Sequence, residues 1–275
     1  MALPFVQVSF PGPLQPYGLL LLGGITAGTL TSWRVSRRFG IPGEDFALLL
    51  AAPVAAAFLG HIVDVLFYQH EPVTASLMAN LMSGHCVMGA LLAIALVTLL
   101  VTVPRRRDLA LYADVVALGT LVAMTIGRLG CAIVHDHVGL PTTSPIGIDM
   151  PLARARWVLP ELTGDGSTVR VHDLGFEELL VLIPLTVIAF VLLHRRLRSG
   201  MTAAIAAIAY AVARFALDFL RPATTDPRLA GLTFAQWCCL VIGALAIVGL
   251  VLVQRHDRVA PLASELGGRP GGRHP

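Results

Sequence analysis

The sequence predicts an all-α integral membrane protein, a seven-transmembrane-helix bundle, and three observations predict it. Of 275 residues, 56% are hydrophobic and only 13% charged, with a mean hydropathy of +0.76, which is far too apolar for a soluble domain. Apolar runs long enough to cross a hydrocarbon core, about 20 residues each, recur along most of the chain. The loops between them alternate in arginine content, the bias that orients membrane helices.

The first run, Tyr17 to Val35, has no basic segment ahead of it; Arg34, Arg37 and Arg38 follow it instead. It therefore reads as a retained span and not as a cleaved signal peptide. The other runs are Phe46 to Tyr68, His85 to Val103, Val115 to Val134, Phe176 to Leu193, Met201 to Phe219 and Phe234 to Val253. Basic clusters follow the odd-numbered spans, at Arg105 to Arg107, at Arg195, Arg196 and Arg198, and at Arg255 and Arg258, whereas Gln69 to Gly84 has none. This places the amino terminus outside and the carboxyl terminus in the cytoplasm. His135 to Gly175, with Pro141, Pro151, Pro160 and the turn-like Gly164-Asp165-Gly166, reads as an extracytoplasmic loop long enough to cap the bundle between helices four and five. The membrane domain is thus expected over residues 1–255 with its cap at 135–175, followed by a disordered cytoplasmic tail over 256–275 that is rich in Gly, Pro and Arg.

All 20 basic side chains are arginine, and the formal charge of +3 gives no basis for nucleic-acid binding. Cys86, Cys131, Cys238 and Cys239 lie in apolar runs without metal-ligand spacing and read as small buried residues.

Span direction assigns each polar residue a depth. His61 and Asp64 sit one turn apart in the outer half of span two, and His85 opens span three. Arg128 lies past the middle of span four, with His135, Asp136, His137 and Gly139 at its exit. His172, Asp173, Glu177 and Glu178 lead into span five, where adjacency lets only one of the two glutamates face inward well. Arg214, Asp218 and Arg221 follow at i, i+4 and i+7 in span six, and Tyr17 begins span one at the same level. An arginine within a span costs roughly 2.5 to 3.5 kcal/mol even on insertion scales, so it is expected to face a polar cavity with an anionic partner. A cavity open to the outer leaflet accounts for the shared depth. Each residue alone has a plainer reading: Arg214 with Asp218 as an intrahelical pair, Asp114 as a helix-dipole partner at the start of span four, His61 as a bundle hydrogen bond.

Several stretches occur in a telling order: Pro16-Tyr17-Gly18-Leu19, Gly60-His61-Ile62 with Val65-Leu66-Phe67-Tyr68, and Met82-Ser83-Gly84-His85. They continue with Gly127-Arg128-Leu129-Gly130, His172 with Glu178, and Tyr210-Ala211-Val212-Ala213-Arg214 with Asp218, Phe219 and Arg221. Together they resemble the phosphatidylglycerol:prolipoprotein diacylglyceryl transferases, whose signature reads like G-R-x-G-N-F. Departures from that pattern are Cys131 and Val134 for two asparagines, Asp136 for a glutamate, and His61 for an arginine; His135 and His137 have no equivalent in it.

The resemblance implies transfer of diacylglycerol from phosphatidylglycerol, or a related anionic phospholipid, to the lipobox cysteine thiol of a prolipoprotein signal peptide, at the outer face of the bacterial inner membrane. That reaction needs a thiol deprotonated and an anionic leaving group held. The catalytic candidates are His85 as general base and Arg128 and Arg214 as the phosphate clamp. Substrate-binding candidates are Tyr17, His61, Asp64, His135, Asp136, His137, Gly139, His172, Glu178, Asp218 and Arg221; no metal and no cofactor is expected. The alternative is a metal-dependent lipid headgroup transferase or hydrolase on the same scaffold, since imidazoles and carboxylates are zinc and manganese ligands, though no H-x-x-x-H or H-E-x-x-H spacing occurs. A transporter is less favoured, because the inward half of the spans is nearly free of polar residues.

Overall fold

The computed structural model describes residues 3–6, 8, 15–68, 86–163, 166–195 and 198–267. Nine helices carry the described chain: α1 (Pro16–Arg38), α2 (Gly43–Leu49), α3 (Ala51–Phe67), α4 (Val87–Thr102), α5 (Leu109–Val134), α6 (Leu152–Val158), α7 (Leu174–His194), α8 (Met201–Leu217) and α9 (Phe234–Gly267). Among the described residues, five helical stretches are long and apolar enough to cross a membrane: Gly43–Phe67, Leu109–Val134, Leu174–His194, Met201–Leu220 and Phe234–Leu252. α4 is apolar but shorter at 16 residues, and α1 has 23 residues diluted by glycine, threonine and serine. The chain is a multi-pass, mainly helical membrane protein.

Glycine sets the tightest helix contact. A Cβ on Gly24 of α1 would stand 2.7 Å from the Ala123 carbonyl oxygen of α5, and Gly28 and Gly119 face each other at similarly close range. Small residues bring backbones together where lipid supplies no hydrophobic drive. Around this seam a core of Leu118, Leu121, Leu182, Leu185 and Tyr210 joins α5, α7 and α8.

Two ends of the bundle differ in chemistry. At one end, buried Asp45 of α2 receives the Tyr112 hydroxyl at 2.5 Å and pairs with Arg107 at 2.7 Å and Arg105 at 3.4 Å. Nearby in the sequence order, Asp108 caps α5 by accepting from the Ala110 and Leu111 amides. Asp114, six residues further on, accepts from the Gly200 and Ala203 amides at 2.7 Å each, so it serves the start of α8 and not that of its own helix. At the other end lie the close of α5, the start of α7 and the close of α8.

The segment read as a loop cap folds into more than loop. β2 (Val138–Pro141), β3 (Ile148–Pro151) and β4 (Thr168–Asp173) pair antiparallel, and β1 (Leu3–Pro4) adds parallel to β3, giving the order β1-β3-β4-β2. A separate core of Val138, Ile148, Met150, Ala155, Leu159 and Val171 holds this sheet to α6. The strands are short and flanked by proline, which hid them from the sequence reading. A two-stranded ribbon, β5 (Arg228–Leu229) with β6 (Leu232–Thr233), precedes α9. α9 continues to Gly267, into the stretch expected as tail, and residues 268–275 lie outside the described residues, as does the expected general base His85.

Candidate active site

α5 ends because His135 takes a left-handed conformation, φ 52° and ψ 47°, with its amide still donating to the Cys131 carbonyl. That single residue separates two histidines. The His135 ring turns to Asp173, Nδ1 to Oδ2 2.6 Å, in a small pocket with Val6 and Phe176, away from the principal cavity. His137 instead faces that cavity, with Nδ1 3.1 Å from Asp136 Oδ1. Alternation along β4 likewise sends Asp173 and His172 to opposite faces, so His172 meets Glu177 at 2.6 Å. Gly139 fits tightly against the His172 and Leu174 side chains, a packing position beside the site.

The principal cavity has a volume of about 600 Å³. Its wall is apolar where Leu21, Ile25, Ala56, Leu91, Ile94 and Met124 contribute from α1, α3, α4 and α5. At its other end stand Tyr17, Asp64, Arg128, Asp136, His137, Arg214 and Arg221. His61, one turn from Asp64, is 1% exposed inside the α3 packing and is not on this wall.

Glu178 organises the polar end. Its Oε2 is 3.0 Å from Arg128 Nη2 and 2.9 Å from Arg214 Nη1, while Tyr210 donates to Oε1 at 2.9 Å. The charges continue in alternation: Arg214 Nη2 lies 3.0 Å from Asp218 Oδ1, Arg221 Nε 2.9 Å from the same oxygen, and Arg221 Nη1 donates to Asp226 at 3.1 Å. Thr233 also donates to Asp218. Three arginines and three carboxylates thus balance, which is what allows this much charge to stay buried. The shared level of the candidate residues on three helices therefore becomes one connected network. Arg214 lines the cavity, and its Nε is buried without a hydrogen-bond partner among the described residues.

Both Glu177 and Glu178 are buried, because a helix turns about 100° per residue and each finds its own partner, His172 or the arginines. Sequence reasoning did not single out Tyr210 or Asp226 as site residues. Tyr210 was legible in principle, since it precedes Arg214 by four residues and so shares its face. Asp226 was not, because its approach depends on the turn after Asp218.

Burial lowers the pKa of His137 below its ordinary value, opposed by the hydrogen bond to Asp136 and reinforced by the charges of Arg128 and Arg221. The exposed 27% of its side chain opens to the cavity. Burial pushes the Asp136 carboxyl upward, but the hydrogen bond and charge of His137, with Arg128, outweigh it and hold the carboxyl below its ordinary range. Cys131 adds a thiol to this corner, receiving a hydrogen bond from Arg128 Nη1 at 3.6 Å.

The family model of prolipoprotein diacylglyceryl transferase matches residues 5–252. The chain is 28% identical to the phosphatidylglycerol–prolipoprotein diacylglyceryl transferase of Leifsonia xyli over 272 residues, covering 94% of this chain and 79% of that protein. It is 29% identical to the enzyme so named in Gloeobacter violaceus, covering 90% and 94%. Against the one in Frankia alni it is 27% identical over 89% of its own length, spanning 64% of the longer relative. A match that begins before the first helix and ends within the last takes in every element that builds the buried network, and this chain belongs to the prolipoprotein diacylglyceryl transferase family.

Proposed function

We propose that this protein transfers the diacylglyceryl group of phosphatidylglycerol, or a related anionic phospholipid, to the lipobox cysteine thiol of a prolipoprotein signal peptide. The observation that carries this reading is the pair Arg128 and Arg214, joined on Glu178 at the polar end of an otherwise apolar cavity. A phospholipid has the same division: tails for the apolar wall, a phosphate for guanidinium donors. Each guanidinium has five N–H donors, so holding Glu178 leaves others for phosphate oxygens.

In the reaction, the cysteine thiolate attacks the glyceryl carbon, a carbon–sulfur bond forms, and the carbon–oxygen bond to phosphate breaks. Glycerol phosphate leaves with the electron pair, and a thioether remains. Charge gathers on the phosphate as it leaves, where buried arginines stabilise it more than water would. The thiol proton needs an acceptor. His85 is the expected base, and His137, neutral on the cavity side, is the second candidate. Tyr17 and Asp136 on the cavity wall support headgroup placement, and Asp218 with Arg221 holds Arg214 in position. Seven spans, an external amino terminus and an extracytoplasmic cap complete the reading, which puts the cavity toward the outer leaflet of the bacterial inner membrane; the arginine-rich alternate loops support it.

Complementation tests the proposal. Expressed where the resident diacylglyceryl transferase is depleted, the chain is expected to add one diacylglyceryl mass to a lipobox substrate. Correct membrane insertion without that mass shift would overturn the assignment.

A further inference from the structure

Cys131, Asp136 and His137 meet at one corner of the cavity: a sulfur, a carboxylate oxygen and an imidazole nitrogen, one from each, all lie within 4.8 Å of one another. We propose that these three side chains form a binding site for a borderline-soft divalent transition ion of the Zn²⁺ class, with its remaining coordination position open to the cavity.

The donor set argues for that class. Thiolate and imidazole select zinc, cobalt and copper over magnesium and calcium, which take oxygen ligands. Three protein ligands with a free fourth position is a standard zinc arrangement. The backbone explains why residues 131 and 137 converge. Cys131 occupies the last turn of α5, the left-handed His135 reverses the chain, and Asp136 and His137 are thereby returned toward that turn. Were the helix to continue, positions 131 and 137 would point apart.

Nearby charge permits a cation here. Arg128 lies 3.6 Å from the Cys131 sulfur, but its charge is met by Glu178 at 3.0 Å. Tyr17 from α1 and Arg221 share the wall, the latter held by Asp218 and Asp226. On binding, the thiol gives up its proton to water as the sulfur–metal bond forms, so the local charge rises by one and no redox step is involved. The ion enters the same space as a lipid headgroup and takes up the imidazole nitrogen and carboxylate oxygen there, so ion and lipid compete for this corner of the cavity and the ion has no part in the transfer reaction.

The test uses full-length protein in detergent, without a polyhistidine tag, titrated with Co²⁺ and separately with Zn²⁺. The expected result is one ion per chain and a near-ultraviolet sulfur-to-cobalt charge-transfer band. Cys131→Ser should abolish the band, and His137→Gln should weaken Zn²⁺ affinity by more than about 100-fold, the upper range for disturbing even an outer-sphere partner. Cys86→Ser and the Cys238→Ser/Cys239→Ser pair should leave the band unchanged, which keeps the assignment testable if Cys131→Ser fails to fold. The proposal is overturned if wild-type protein shows no thiolate band. It is overturned equally if the band follows Cys86, Cys238 or Cys239, or if Zn²⁺ affinity is unchanged in His137→Gln.

Discussion

Arg128 and Arg214, 86 positions apart on α5 and α8, are fastened to the same oxygen of Glu178, at 3.0 and 2.9 Å. That shared carboxylate lies between two like charges and offsets their repulsion, with Asp218 giving Arg214 a second partner. Removing one partner of a buried ionic group costs about 3–5 kcal/mol, because the charge left behind is uncompensated. Glu178→Ala should therefore lower stability by about that amount, whereas Tyr210→Phe, losing one hydrogen bond to a charged acceptor, should cost about 1.5–3 kcal/mol. Thermal unfolding in detergent checks the order; equal effects would show that Glu178 does not organise the site.

Lysine is a poor substitute at either arginine. An ammonium has the charge but not the planar fork that can hold Glu178 and a phosphate together. Arg128→Lys and Arg214→Lys should each reduce lipidation of a lipobox substrate by at least about tenfold with a smaller loss of stability, roughly 1.4 kcal/mol of transition-state stabilisation or more. Normal turnover in both would remove the phosphate-clamp role.

The seam between α1 and α5 has no space for a methyl group at Gly24. With the Ala123 carbonyl 2.7 Å from the added Cβ, Gly24→Ala must push the two helices apart, at a cost of about 1–3 kcal/mol. Gly18→Ala, which meets nothing within 4 Å, is the matched control and should be close to neutral. Comparing their apparent melting temperatures tests the packing.

Asp114 serves α8 through the Gly200 and Ala203 amides. Asp114→Ala should cost about 0.5–2 kcal/mol, as for other lost helix caps. Amide exchange is the discriminating measurement: it should quicken at the start of α8 and not at the start of α5, which Asp108 caps.

Acid should weaken the fold through His137. Its folded-state pKa lies below the ordinary value of 6.5, so the unfolded chain binds more protons in that region. The stability it contributes is fully present above about pH 6.5 and is lost as pH falls through the lowered folded pKa. Asp136, also lowered, adds a further loss beginning near its ordinary value of 3.8. His137→Gln should flatten the fall of the apparent melting temperature as pH drops below about 6.5; an unchanged slope would count against a neutral, partly buried imidazole.

By itself, the sequence determined that this is a multi-pass membrane protein, which ends of its helices are arginine-rich, and that Tyr17, Asp64, Arg128 and Arg214 stand near the opposite ends of theirs. Those follow from hydropathy, run length and helical rise, all properties of local sequence. It also placed Arg128 and Arg214 on their helices, whereas Asp218 and Arg221, expected on the same helix as Arg214, fall in and after the 3-10 turn that follows it. Only tertiary structure decided which charges meet: Glu178 with the two arginines while Glu177 turns to His172, His137 in the cavity while His135 leaves it, and Cys131 brought back beside Asp136. Those outcomes depend on one left-handed residue ending α5 and on short strands after it. Hydrophobic periodicity reports the level and face of a residue on a regular helix, but it is silent where the chain reverses direction.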